Sequence, residues 1–310
     1  MVRSAPLLEE NVKRKFLAHF VLVAFLFFSQ AAAASEQAPV RIAIIDTGIR
    51  EHHVMLEGTA IEQGVNYAFK GATTHDLIGH GTRIAGLILG SSDGTLKGTA
   101  PDAVLVPLVY YSKYPSGVRQ NGGIDAICQA MYDAIDVYGC QVINISSGVT
   151  KPDERLFKAI SYAEEKGVIV VSAAGNDHLY KPEHVYYPAA YETVVGVGAA
   201  NTDLSGAAPF SQRSKGVMLI APGQDLKVLS IRSGEHFEIA SGTSYAAAQV
   251  AGLAARLKAA WPNMTPADFR QLLQSTSVDL DEPGYDSATG WGLLDTEAIL
   301  LSAQNKAASE

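Results

Sequence analysis

The chain has 310 residues, 47% of them apolar, with ordinary Gly and Pro content; this is enough to bury a sizeable core and excludes a disordered polypeptide. Its 32 Asp+Glu against 24 Lys+Arg give a formal charge of −8, which disfavours a nucleic-acid binder.

In chain order, the first feature is a basic start (Arg3, Lys13, Arg14, Lys15) followed by an apolar run from Phe16 to Phe28, broken only by His19. Ala31 to Ala34 then supply an A-x-A type site, so residues 1–34 resemble a secretory signal peptide cleaved near Ala34. The run is shorter than the ~20 residues of a spanning helix, which makes a retained membrane anchor the weaker reading. Cleavage would remove four cations and two anions, leaving 20 Lys+Arg against 30 Asp+Glu, a charge of −10. The expected location is outside the cell or in a periplasm, with no stable membrane span after cleavage.

Beyond residue 35, short β-branched runs recur: 40–45 (VRIAII), 103–109, 141–146, 168–173, 193–198 and 217–221. Helical patterns over 122–138, 153–166, 244–260 and 265–275 separate most of them. Near-continuous apolar strands alternating with helices predict a mostly parallel sheet covered on both faces, an α/β three-layer sandwich. No repeat, low-complexity tract or long linker divides residues 35–300, so one domain is expected over 35–310. Cys128 lies within the first helical pattern and Cys140 just beyond its end, too far apart along a helix to bridge, which predicts two buried free thiols.

In an open parallel sheet, ligands bind beyond the carboxyl ends of the strands. Asp46 ends the first strand in "AIIDTGI", Asn176 follows "VVSAAG", His80 stands in "GHGTRIAG", and Ser244 opens the helix of "SGTSYAAAQVAG". Each alone has a plain structural reading: turn former, αL residue, helix cap. Together they meet the needs of acyl transfer, with a Ser nucleophile, a His base, an Asp to orient the His and an amide for the oxyanion. The order Asp, His, Ser excludes the α/β-hydrolases, which run Ser, Asp, His around a G-x-S-x-G elbow.

With "KGTAPDAVLVPL", "VINISSG", "YYPAAYETVVGVGA" and "GWGLLD" added, the chain resembles the subtilisin-like serine peptidases over nearly all of residues 40–300. The resemblance implies catalysis by Asp46, His80 and Ser244, with an oxyanion hole from the Asn176 side chain and the Ser244 N–H. It also implies polypeptide substrates bound as an added strand between Ser116-Gly117-Val118 and Ser146-Ser147-Gly148, although both stretches also read as Gly/Ser loop. Gly175 belongs to the same substrate region. No cofactor is needed for the chemistry. The rival reading is a catalytically silent binding protein on the same fold.

Three departures from the family pattern stand out. Arg83 follows His80 where a second His is common, and Tyr245 to Gln249 replace M-A-S-P-H after the nucleophile. Tyr186 falls at the floor of the main specificity pocket, where a small residue is common, and Asp177 near its rim; Tyr186 either makes the pocket shallow, favouring small residues, or points into the core. Only about five residues separate Ala34 from the first strand, too few for a pro-segment, so a separate folding or inhibitory partner is an open expectation. A structural calcium in the loop "GSSDGTLKG" is weakly supported, since Asp93 is its one carboxylate. Zinc at His75 and His80 conflicts with the need for His80 as a free base.

Overall fold

All six apolar runs become parallel strands of one sheet: β1 (Arg41–Asp46), β3 (Val104–Val109), β6 (Val142–Ile145), β7 (Ile169–Ala173), β8 (Val195–Ala200) and β9 (Leu219–Pro222). A two-residue strand, β2 (Val65–Asn66), adds an edge, giving the order β2-β3-β1-β6-β7-β8-β9. The computed structural model describes residues 38–114 and 116–307, so the signal-like segment expected over 1–34 lies outside the described residues. Residues Pro39–Glu310 form one compact unit.

Successive side chains of a strand face opposite sides of the sheet, and here both sides are covered. Ile42 and Ile44 of β1 enter one apolar core, while Ala43 and Ile45 enter a second. The first core lies beneath helices α1 (His80–Leu89) and α4 (Thr243–Ala260), the second beneath α2 (Gly123–Asp136) and α3 (Glu154–Glu165). Helices α5 (Pro266–Thr276) and α6 (Thr296–Ala307) extend the first layer through Phe269, Leu272 and Ile299. The result is the expected α/β three-layer sandwich.

The helices start where local chemistry satisfies their free N–H groups. Asp153 accepts from the backbone of Arg155 and Leu156 to open α3, and Thr265 with Asp268 forms a capping box at α5, with Pro266 in its first turn. The helix α4 is buried along most of its circumference, and its alanines let it lie close against the strands. Cys128 and Cys140 are buried and unbridged, and burial pushes their thiols up to about 11 and about 12.

Two antiparallel ribbons sit outside the sheet: β4 (Tyr111–Lys113) with β5 (Arg119–Asn121), and β10 (Leu226–Leu229) with β11 (Phe237–Ala240). The strand order brings the carboxyl ends of β1, β6 and β7 together at one edge, and the start of α4 meets them there. No helix among the described residues is long and apolar enough to cross a membrane.

Candidate active site

Asp46 is the last residue of β1 and His80 the first of α1. The imidazole Nδ1 lies 2.7 and 2.9 Å from the two Asp46 carboxylate oxygens. A carboxylate only accepts, so Nδ1 carries the hydrogen and Nε2 keeps its lone pair. Asp46 is 3% exposed and His80 28%, so the pair opens to solvent on the imidazole side alone. Burial disfavours the imidazolium, yet the charge and hydrogen bond of Asp46 outweigh it and hold the His80 pKa above its ordinary 6.5; Arg83 pulls the other way and Asp76 adds to the rise.

The approach of α1 to β1 is set by Gly81 and by Asp76. A Cβ on Gly81 would collide with the Gly48 carbonyl oxygen, so only glycine lets His80 come this near Asp46. Asp76 is fully buried and accepts from the backbone of Ile78, Gly79 and Thr82 and from the hydroxyls of Thr47 and Thr82, at 2.7–3.1 Å. Thr47 in turn accepts from the Gly81 N–H at 3.0 Å. The sequence reading missed Asp76; an acid just ahead of a helix start was the available signal.

Ser244 is buried in the first turn of α4, and its N–H carries no hydrogen bond among the described residues. Gly242 precedes the helix without a side-chain cap, so Ser244 is not serving as one. The Ser244 hydroxyl donates to the Ser146 carbonyl at 3.4 Å, and no hydrogen bond joins it to His80 among the described residues. Asn176 is exposed, with its Oδ1 accepting from the Thr243 N–H at 2.8 Å and the Thr243 hydroxyl at 3.0 Å. Because the Thr243 N–H can only donate, the amide is oriented, and its Nδ2 stays without a partner among the described residues. Thr243, also missed from sequence, holds the Gly175 N–H as well, at 3.2 Å.

Ser244 and Asn176 line a cleft of about 300 Å³ together with Ser146, Ser147, Gly148, Gly175, Asp177 and Tyr186. Tyr186 therefore faces the cleft and not the core. Its ring wedges between Gly148, whose added Cβ would stand 3.3 Å from Cδ1, and Gly175, whose φ of +115° and contact with the ring exclude any side chain. The Tyr186 hydroxyl donates to Asp177 Oδ2 at 2.8 Å, and His184 Nδ1 lies 2.9 Å from the same oxygen.

Ser116, Gly117 and Val118 are not brought to this cleft. They form the exposed tip of the β4–β5 ribbon, where the Tyr114 N–H bonds to the Val118 carbonyl at 2.7 Å. The ribbon is long enough to carry its tip away from the sheet, and Asn121 and Gly123 are the residues that share a smaller cavity, of about 90 Å³, with Ser147 and Gly148. In the loop after α1, both Asp93 oxygens accept from Ser91 and Thr95, and no group of three or more His, Cys, Asp or Glu gathers among the described residues. Asp93 would supply two of the ~6–8 oxygens that a calcium needs.

A parallel α/β sheet whose strand ends gather an Asp–His pair, a serine at a helix N-terminus and an oriented free amide defines the subtilisin-like class. The subtilase family model matches residues 38–292, and the chain belongs to that family. It is 35% identical over 289 residues to fervidolysin of Fervidobacterium pennivorans, covering 84% of this chain and 40% of that one. It is 32% identical over 275 residues to the minor extracellular protease Epr of Bacillus subtilis (87% and 40%) and 34% identical over 261 residues to subtilisin BL of Lederbergia lenta (84% and 90%). The crystal structure of fervidolysin, a keratinolytic enzyme related to subtilisin, matches with a TM-score of 0.74 at 32% identity, over 84% of this chain and 42% of that one. The chain thus spans about two fifths of the length of fervidolysin and of Epr.

Proposed function

We propose that the chain is a secreted serine endopeptidase that hydrolyses peptide bonds through an acyl-enzyme intermediate. The observation that carries this reading is that Ser244 at a helix N-terminus and an Asn176 amide aimed by Thr243 line one cleft, while the Asp46-paired His80 packs against Tyr245, the residue next to Ser244. Ser244 attacks the scissile carbonyl; His80 Nε2 takes its proton and later delivers it to the leaving amine; Asp46 keeps the imidazole in the required tautomer. In the resting enzyme the Ser244 hydroxyl rests on Ser146, and rotation about its Cα–Cβ bond transfers it to His80 as substrate arrives. The negative oxygen that forms is received by the Asn176 Nδ2 and the Ser244 N–H, with the positive end of the α4 dipole behind them.

The substrate lies extended along Ser146-Ser147-Gly148, with Asn121 supplying the opposite edge in place of the ribbon tip. Tyr186, wedged between two glycines and tied to Asp177, limits the pocket that receives the side chain before the cleaved bond, so Gly, Ala and Ser are preferred there. Export follows from the signal-like residues 1–34 and accords with the extracellular relative Epr.

Ser244→Ala tests the reading directly. Against an unfolded protein substrate the variant is expected to lose on the order of 10⁶-fold in kcat, the loss a serine peptidase suffers when its nucleophile is removed. Equal cleavage by wild type and variant defeats the peptidase assignment. A wild type that binds but never cleaves identifies instead a silent binding protein on this fold.

A further inference from the structure

Arg83, Glu238 and Tyr245 border His80 and are not among the proposed reacting groups. Arg83 follows His80 by three residues on α1, so the two lie about one turn apart on the same face. Its Nε donates to Glu238 Oε1 at 2.8 Å, and the two side chains are 22% and 9% exposed. Glu238 belongs to β11, in the ribbon that packs over α1, and its second oxygen stands 3.6 Å from Arg232. Tyr245, the residue after Ser244, is 5% exposed; its ring centroid lies 5.7 Å from that of His80, tilted by 35°. Burial raises the Tyr245 pKa, and the positive charge of Arg83 opposes that rise.

These contacts lead from a half-buried ion pair to the imidazole. A guanidinium held by a carboxylate has a fixed orientation, since its planar fork loses the bond when it turns. The charge so held acts on the buried Tyr245 phenol, whose ring packs against His80. The ring in turn is a wall of the space in which His80 can move.

We propose that the Arg83–Glu238 pair, acting through Tyr245, is a positioning element that aligns the His80 imidazole and sets the balance of charge around it. The proposal rests on the reading of His80 as the general base. The ionisable groups facing His80 are Asp46 from β1, Asp76 from the segment before α1, Arg83 on α1 and Tyr245 on α4, with Glu238 and Arg232 of the ribbon one layer behind. Arg83 disfavours the imidazolium, opposing Asp46 and Asp76. Glu238 neutralises Arg83. The two members of the ion pair must therefore act on His80 with opposite signs, which a merely structural role would not produce.

The test uses the full chain with Arg83→Met, Arg83→Lys, Glu238→Gln and Tyr245→Phe. Two readouts are compared: the acidic limb of kcat/KM on a peptide substrate, and the titration of the His80 imidazole by NMR in the Ser244→Ala background. Arg83→Met is expected to move both to higher pH and Glu238→Gln to lower pH. Arg83→Lys, which keeps the charge, is expected to return the titration to the wild-type position while kcat stays low, because the fork is lost. Tyr245→Phe keeps ring and charges, so its limb is expected to stay in place while kcat drops about tenfold at unchanged KM, the cost of loosened orientation. Shifts of the same sign in Arg83→Met and Glu238→Gln, no shift in either, or a lysine variant displaced as far as the methionine one overturn the proposal. Should Glu238→Gln fail to fold, the Arg83 pair still decides. If the wild type cleaves nothing, the peptidase reading falls, while the NMR titration tests the cluster by itself.

Discussion

The two sides of the cleft are built differently. On the His80 side the position of each group is set by buried charge: Asp76 accepts five hydrogen bonds, Asp46 holds the imidazole from below, and Arg83 is locked to Glu238. On the pocket side the shape comes from an aromatic ring between two glycines and from a loop, 177–184, whose Leu179 and Tyr180 are exposed. Buried carboxylates with all their donors in place tolerate little change, because each stranded donor keeps its full desolvation cost. An aromatic plug in a half-open pocket can be exchanged at small cost to the fold. In the proposed peptidase the first side would carry the chemistry, and the second would be free to set the choice of substrate.

The comparison can be tested from its largest consequence to its smallest. Asn176→Ala removes the side-chain donor of the proposed oxyanion site and should lower kcat by ~10²–10³ with KM nearly unchanged; steady-state kinetics that put the loss in KM would assign Asn176 to substrate binding instead. Asp76→Ala strands three backbone N–H groups near His80 and should cost about 3 kcal/mol in urea unfolding, together with most of the activity. A variant of wild-type stability would mean that the His80 side is not braced by this carboxylate.

Tyr186→Gly should deepen the pocket and raise kcat/KM for substrates with Phe or Leu before the cleaved bond by roughly 10–100-fold, at little change in stability. Cleavage-site profiling of the wild type that already favours large aromatics there contradicts the plug. The smallest effect concerns pH. The base works only when neutral, and Asp46 raises the His80 pKa above 6.5, so activity should fall as pH decreases through a limb whose midpoint lies above 6.5. A midpoint below 6.5 would show that burial and Arg83 outweigh Asp46.

The central strands were legible because each is a contiguous β-branched run, and α2 to α5 because their apolar spacing is helical. The two ribbons were not: β5 reads Arg-Gln-Asn, wholly exposed, and has no alternation to betray it. Ser116 to Val118 therefore lie at the ribbon tip, while Asn121 is the residue that shares a cavity with Ser147 and Gly148. The helix α6 has too weak an apolar face to announce itself, with Ile299 and Ala303 alone buried. Among the site residues, Asp46, His80, Asn176 and Ser244 each stand in a recognisable local motif. Asp76 and Thr243 stand beside or inside the same motifs, but their roles depend on partners in other segments, Thr47 for Asp76 and Asn176 for Thr243.

The sequence by itself determined the fold class, the family resemblance and the order of the strands along the chain, and it named the candidate reacting groups, since all of these are written in short contiguous patterns. Only the tertiary structure decided that Tyr186 faces the cleft, that the Asn176 amide is turned by Thr243, and that Arg83, Glu238 and Tyr245 meet beside His80. Those residues are 67 to 162 positions apart in pairs such as Asn176–Thr243 and Arg83–Tyr245, and their distances depend on parallel strand order and register, which no local pattern encodes.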